Sequence, residues 1–306
     1  MSWCRAVLRA MAALLLLHGA ATAAAGSASP TLCDRAPALG AREQDAVLRF
    51  AAVAREALER SDARVALVSR SGLNLARFGI RHSHAGFALR DGPLGAWSVR
   101  QLYYACSEGR PRLFDQGLPG FAFGTDDPAL GYLSIVLLPA AAAEALERHV
   151  RDAASALPLL AGAYSANAYA FGLRYQNCNQ WVAELMASAW GGLDPQADAP
   201  RARAQAWLRE AGYAPPPVEV DSRPLMFAAA FVPWVHTDDH PEEDVLAMRF
   251  RTSLPAALEA FVRARWPEAR RLELCHDTRQ VVLREGWTPI ADGCRAEPGD
   301  RVIALD

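Results

Sequence analysis

Apolar residues recur every three to four positions over residues 40–60, with charged residues between them, and this spacing predicts an amphipathic helix. Residues 63–70, ARVALVSR, form a short apolar run bounded by charge, which is typical of a buried strand. Residues 81–90 and 96–106 predict two further strands. The turn residues DGPLG lie between them, so the pattern indicates a β-hairpin.

The Gly- and Pro-rich stretch at 108–131 is long for a plain connection, and it predicts a loop of the kind that often binds ligands. Beyond it, helical and strand patterns alternate. The elements predicted there are a strand at 132–139, helices at 140–157, 177–192 and 200–213, a strand-like run at 225–235, a helix at 254–265, and strands at 279–284 and 300–306.

The first residues have the pattern of an export signal. Arg5 and Arg9 precede the apolar stretch MAALLLL, and a run of small residues follows, so we expect a secretory signal peptide over residues 1–25. No later apolar stretch reaches the length of about 18 residues that a membrane-spanning helix needs. The expected protein is periplasmic or secreted, with no transmembrane span.

The segment APPP marks a change of pattern late in the chain. We therefore expect a linker over 214–221. The main domain is expected over 26–213, and a small α+β subdomain over 222–306.

The net charge and the cysteine content restrict the classes of function that the sequence allows. The net charge of −2 argues against nucleic acid as a partner. Of the six cysteines, Cys4 would leave with the signal peptide, and an odd number in an exported protein indicates at least one thiol outside the internal disulfides. Cys275 and Cys294 flank a strand-turn-strand pattern and could pair, which would leave Cys33 and Cys106 as a second pair.

Cys178 lies between two asparagines at the start of a predicted helix. If Asn177 caps that helix, the thiol lies in the first turn, where the helix dipole lowers a thiol pKa and favours a nucleophilic thiolate. The alternative is a structural cysteine packed under Trp181. Asn177 and Asn179 could cap the helix or donate to an oxyanion, and capping is the simpler role.

A nucleophilic cysteine needs a base, usually a histidine that a third polar group orients. The segment HSHAGF supplies His82 and His84 on one face of a short strand. The small residues after them would allow another segment to approach closely. These two histidines are therefore the candidate bases.

Together these segments resemble a known group of proteins. RHSHAGFAL followed by YQNCNQWVAELM is similar to the circularly permuted branch of the papain-like cysteine peptidase fold, in which the histidine strand precedes the cysteine helix. That branch includes relatives of NlpC-type cell-wall peptidases, the lecithin:retinol acyltransferase group and the PPPDE deubiquitinating peptidases. With RQLYYACSEGRPRLFDQGL, the ensemble most resembles a bacterial family known as domain of unknown function 2145, over residues of about 40 to 210.

The resemblance implies an α+β fold in which an antiparallel sheet packs on the cysteine helix. It assigns the nucleophile position to Cys178 and the general base to His84, with His82 as the competing base. The third position falls on the strand after the histidine strand, where Gln101 is our choice and Ser98, on the opposite face, is the alternative. A carboxamide can accept the imidazole N–H and hold one tautomer.

The implied activity is that of an exported hydrolase or acyltransferase that acts on an amide or ester without a cofactor. Cell-wall peptides or lipid acyl groups are the expected substrates, and the sequence gives no oligomeric state. A noncatalytic exported binding protein that keeps the fold is the alternative from another class. A metal site is a further alternative, because HxH and HxDxH patterns give convergent ligands. The ligands would be His82, His84, His236, Asp238 and His240.

Overall fold

The computed structural model describes residues 39–305 of the 306-residue chain. The predicted signal peptide and Cys33 lie outside the described residues. All described residues belong to one compact unit. Within them, no helix combines the length and the hydrophobicity that crossing a lipid bilayer requires.

Ten strands are described, and eight of them form one sheet in which every neighbouring pair is antiparallel. This agrees with the antiparallel sheet that we expected. The eight are β1 (Val65–Arg70), β2 (His84–Gly92), β3 (Gly95–Ala105), β4 (Arg110–Gly117), β5 (Gly131–Leu137), β8 (Arg270–His276), β9 (Gln280–Glu285) and β10 (Arg301–Ala304), and a separate pair consists of β6 (Pro217–Glu219) and β7 (Arg249–Arg251). Their order across the large sheet is β10-β9-β8-β5-β1-β2-β3-β4.

Helices cover both faces of this sheet. In chain order the described α-helices are α1 (Ala41–Glu59), α2 (Leu118–Ala122), α3 (Ala140–Arg151), α4 (Ala153–Ala156), α5 (Cys178–Trp190), α6 (Pro200–Glu210), α7 (Arg223–Ala229), α8 (Glu242–Leu246) and α9 (Pro255–Arg265).

The central strand β1 is buried along its whole length because both of its faces are covered. Side chains alternate between the two faces of a strand. Val65 and Leu67 pack into the core that contains α5, whereas Ala66 and Val68 pack into the core that contains α1. This arrangement explains the uninterrupted apolar run from which the strand was predicted.

The C-terminal strands extend the same sheet. β8 pairs with β5 from Gly131 opposite His276 to Leu137 opposite Arg270, and β9 and β10 follow it. The apolar face of α9 packs into the core around α5. The strands that we expected in a separate subdomain therefore lie in the sheet of the main unit.

Three predicted elements differ from the observed ones. The stretch at 108–131 is not a plain loop, because β4 pairs with β3 over eight residues and α2 follows directly. The run at 225–235 was predicted as strand-like but begins within α7, whose residues are all partly or fully exposed. The helix predicted at 140–157 breaks at Asp152, whose side chain accepts the N–H of Ala154 and caps α4.

The disulfides agree with the predicted pairing as far as the described residues allow. A disulfide joins Cys275 of β8 to Cys294 in the segment between β9 and β10, which confirms the first predicted pair. Cys106 is also disulfide-bonded, and its predicted partner Cys33 lies outside the described residues. Cys178 is present as a buried thiol.

Candidate active site

Asn177 is the N-cap of the cysteine helix, α5. Its Oδ1 accepts the backbone N–H of Gln180 at 2.7 Å, which satisfies one of the donors that every helix start leaves open. Its Nδ2 donates to Ala166 O at 3.2 Å, Thr252 Oγ1 at 2.9 Å and Ser253 O at 3.2 Å. The whole carboxamide therefore serves to fix the helix start.

Asn179 ties the first turn of α5 to the histidine strand. Its Nδ2 donates to Ser83 O at 3.1 Å and to Ser253 O at 3.2 Å. Ser83 is the residue directly before β2, so the second residue of α5 lies against the beginning of that strand. Because both asparagine Nδ2 groups are engaged in these contacts, the backbone N–H groups at the start of α5 are better oxyanion donors than either side chain.

Cys178 is the first residue of α5 and is 7% exposed. Its side chain belongs to the core between α5 and the sheet, which also contains Ala85 of β2 and Leu102 of β3. The thiol thus lies at the positive end of the α5 dipole, in the core on the sheet face of Ala85, whereas His84, one residue earlier in the chain, starts from the sheet face of Arg70.

His84 and Gln101 form a direct pair across β2 and β3. His84 Nε2 and Gln101 Oε1 are 2.7 Å apart, and Gln101 Nε2 donates to Gln116 Oε1 at 2.8 Å. Since the Gln101 amide donates to Gln116, its oxygen faces the imidazole, and His84 must carry its proton on Nε2. The nitrogen that can accept another proton is then Nδ1.

Gln116 was not predicted, because its strand β4 was taken for a loop. The register that places Gln116 opposite Val99 brings it to the sheet face of Gln101. Ser98, the alternative third residue, lies against Gly92 at the far end of β2 and not at His84.

The surroundings of His84 keep it uncharged. The residue is 8% exposed, and its ring packs against Tyr103 and Phe121 at centroid distances of 4.9 and 5.9 Å. Burial and then the charge of Arg70, which faces His84 in the register of β1 and β2, lower the pKa of His84 to about 3, although the Gln101 hydrogen bond opposes them. The imidazole is therefore neutral at neutral pH.

His82 belongs to a different cluster. Its Nε2 is 3.8 Å from Glu273 Oε1, in a buried group of charges that also contains Arg271 and Glu259. Burial is the main cause that lowers the pKa of His82, and the two carboxylates oppose it. The structure thus separates the two histidines, and only His84 has a carboxamide that fixes its tautomer.

The residues of the alternative metal site have other partners. His236 stacks on Tyr175 at 4.4 Å, His240 Nε2 lies 2.7 Å from Asn167 O, and Asp238 pairs with Arg174. Between residues 39 and 305 no three His, Cys, Asp or Glu side chains are grouped so that they could hold a metal ion. The described residues therefore do not support the metal-site hypothesis.

Two described cavities lie away from the candidate site. Their volumes are about 610 and 500 Å³, and one lies beside β9 and β10 and the other between α6 and α9. Neither is lined by Cys178 or His84.

Comparison with known proteins places the chain in a family. No curated protein and no solved structure matches it. A family model described as an uncharacterized protein conserved in bacteria matches residues 57–262, a range that contains β2, β3 and the cysteine helix. Because this range covers about two thirds of the chain, the protein belongs to the DUF2145 family.

Proposed function

We propose that this protein is an exported cysteine hydrolase or acyltransferase with a circularly permuted papain-like core, in which Cys178 is the nucleophile and His84 the general base. The main support is the hydrogen-bonded chain His84–Gln101–Gln116, whose first two members are buried, at the strand that Asn179 joins to α5. A histidine that serves as a base needs one fixed tautomer, and this chain of hydrogen bonds supplies it.

The proposed reaction begins with a neutral pair. Nδ1 of His84 accepts the Cys178 proton while the sulfur attacks the carbonyl carbon of an amide or ester. Backbone N–H groups at the start of α5 stabilise the oxyanion that forms. When the tetrahedral intermediate collapses, His84 returns the proton to the departing amine or alcohol, and an acyl thioester remains on Cys178.

In the second half of the reaction, His84 removes a proton from the acceptor as the acceptor attacks the thioester. Water as acceptor gives hydrolysis, whereas an amine or alcohol gives acyl transfer. The thiol is then restored by the proton that His84 holds, so the cycle needs no cofactor.

The expected compartment suggests the substrate class. The signal-peptide pattern and the disulfides are typical of exported proteins. Peptide amides of the cell wall are abundant outside the inner membrane, so we propose them as the first substrates to test. Lipid esters are the alternative within the same chemistry.

The decisive experiment uses p-nitrophenyl acetate as the acyl donor. We expect a burst of nitrophenolate close to one equivalent of protein, with the acetyl group found on Cys178 by mass spectrometry. Cys178→Ser should abolish the burst, and His84→Ala should slow acylation by about 10²- to 10⁴-fold. His82→Ala is the matched control, and we expect it to acylate at close to the wild-type rate.

A different outcome would favour the noncatalytic alternative. If Cys178 is acetylated no faster in the native protein than in a short unfolded peptide of the same sequence, the enzyme hypothesis is wrong. If His82→Ala, and not His84→Ala, abolishes the burst, Cys178 is still the nucleophile but the assignment of His84 as the base is wrong. Purified cell-wall fragments and a lipid ester would then distinguish the two substrate classes by the product released.

A further inference from the structure

We propose that Arg70 is a positioning residue that keeps His84 neutral, so that the protein works through a neutral thiol–imidazole pair and remains active in mildly acidic solution. This inference rests on the proposed function of Cys178 and His84. Neither the family description nor the sequence pattern assigns a role to Arg70.

Arg70 is the last residue of β1 and is 2% exposed. It faces His84 in the β1–β2 register, which places its side chain beside the imidazole. Its Nη2 donates to Tyr103 Oη at 2.9 Å, and its Nη1 donates to Gly124 O and to Ser71 O. The guanidinium is therefore held in place by three hydrogen bonds.

The charge of Arg70 is not balanced by a carboxylate in the described part of the chain. Its three hydrogen-bond acceptors are two carbonyl oxygens and a phenol, and its buried Nε has no hydrogen-bond partner there. A buried charge without a counter-ion acts strongly on nearby titratable groups, because the surrounding protein screens it poorly. His84 is the titratable base beside it.

Glycine at two positions makes room for this guanidinium. A Cβ at Gly124 would overlap its terminal atoms, and a Cβ at Gly72 would lie 2.7 Å from Nη1. Neither glycine has a positive φ, so the close approach of Arg70, and not the backbone conformation, explains them. Phe121 completes the enclosure, with its ring centroid 5.4 Å from the Arg70 Cζ and 5.9 Å from the His84 ring.

An imidazolium at His84 would lie next to this uncompensated cation, which disfavours a resting thiolate–imidazolium pair. The titratable groups that face His84 are Arg70 from β1, Tyr103 from β3 and, in the proposed function, Cys178 from α5. β4 contributes the uncharged Gln116, which reaches His84 through Gln101. α2 contributes the uncharged Phe121, whose ring packs against the imidazole. A resting imidazolium at His84 therefore forms only in acid, whereas the proposed reaction protonates Nδ1 transiently.

The test is an NMR titration of the His84 ring nitrogens in the mature protein. The wild-type ring should stay neutral, with the proton on Nε2, from pH 7 down to pH of about 4. Arg70→Met should raise the pKa of His84 by about one unit, because an adjacent like charge is removed while burial, the larger cause of the low pKa, remains. Arg70→Lys keeps the charge and should keep the pKa low.

A second variant covers the case in which Arg70→Met does not fold. Gly124→Ala keeps the charge but displaces the guanidinium, so it should give a smaller rise in the pKa of His84. Gly162→Ala is the matched control, because a Cβ there meets open space. An unchanged His84 titration in both Arg70→Met and Gly124→Ala would overturn the inference.

The two proposals fail in distinguishable ways. If Cys178 is never acylated at any pH, the proposed function fails, yet the NMR titration still measures the effect of Arg70 on His84. If Cys178 is acylated and the acid limb of its rate does not move to higher pH in Arg70→Met, only the role of Arg70 is wrong.

Discussion

Replacement of Arg201 by methionine tests how the cysteine helix is held. Glu184 is fully buried in α5, and Arg201 of α6 binds both of its oxygens, through Nε at 2.8 Å and Nη2 at 3.0 Å. Gln176 and Gln205 donate to the same carboxylate at 2.6 and 2.7 Å. Methionine keeps much of the apolar stem of the side chain but leaves the carboxylate without its counter-ion.

The expected cost is about 3–5 kcal/mol, since removal of one partner from a buried ion pair leaves an uncompensated charge. The two glutamine amides remain, which favours the lower part of that range. Arg201 also donates to Leu173 O at 2.7 Å and to Tyr175 O at 3.1 Å, and both losses add to the cost. These carbonyls lie just before Cys178, so the change also loosens the approach to the thiol.

The free energy of unfolding should be measured in urea at pH 7, with an unchanged dependence on urea concentration. Glu184→Gln in the Arg201→Met background should recover a large part of the loss, because no buried charge then remains. Arg203→Met, an exposed position on the same helix, is the control and should change stability by about 0.5 kcal/mol or less.

The pKa of Glu184 determines how the stability loss in Arg201→Met should change with pH. Burial already raises the pKa of Glu184, and loss of Arg201 raises it further. A carboxyl with a raised folded-state pKa loses stability as pH rises through that pKa, so the deficit of Arg201→Met should shrink in acid. A deficit below about 1 kcal/mol at pH 7 would mean that the pair behaves like an exposed one, and the reasoning would be refuted.

Three further changes test the helix cap, the disulfide and acid stability. Asn177→Ala removes the cap of α5 and should cost about 2 kcal/mol in urea unfolding, with faster amide exchange in the first turn. Replacing Cys275 and Cys294 by serine should cost about 3 kcal/mol and lower the calorimetric midpoint by several degrees. Burial lowers the pKa of His276 to about 4, so the unfolded chain takes up its proton first, and stability should fall as pH drops from about 6.5 to 4. In His276→Phe this loss of stability between pH 6.5 and 4 should be smaller by up to about 3 kcal/mol. Thermal unfolding at each pH measures the difference.

The elements that were predicted well have a strong local pattern. The helices α1, α5 and α9 and the strands β1 and β5 each show an apolar period or run within a single segment. β4 lacks such a pattern because it contains a proline and three charged residues, and it is a strand only through its pairing with β3. β8 was missed for another reason, since Arg271 and Glu273 within it are buried as ion pairs and give the segment a polar appearance.

The part of the candidate site that lies on the β2–β3 hairpin was predictable from the sequence. The segments HSHAGF and VRQLYY lie on paired strands, so His84 and Gln101 could be placed together from the sequence. Gln116 and Arg70 depend on the register of β4 and β1, which the sequence does not specify. The two histidines were expected on one face, but β2 begins at His84, so strand alternation does not apply to His82.

The C-terminal residues affect the candidate site because β8 belongs to the same sheet as the histidine strand. The family match ends at residue 262, before β8 begins, yet β8 pairs with β5, and β5 lies next to the strand of Arg70. Glu273 of β8 accepts a hydrogen bond from Arg81 at 3.1 Å, three residues before His84. Ser253, at the entrance to α9, accepts from both asparagines that flank Cys178. The C-terminal residues thus hold the histidine strand from one side and the cysteine helix from the other, so the geometry of the proposed pair depends on residues outside the matched range as well as within it.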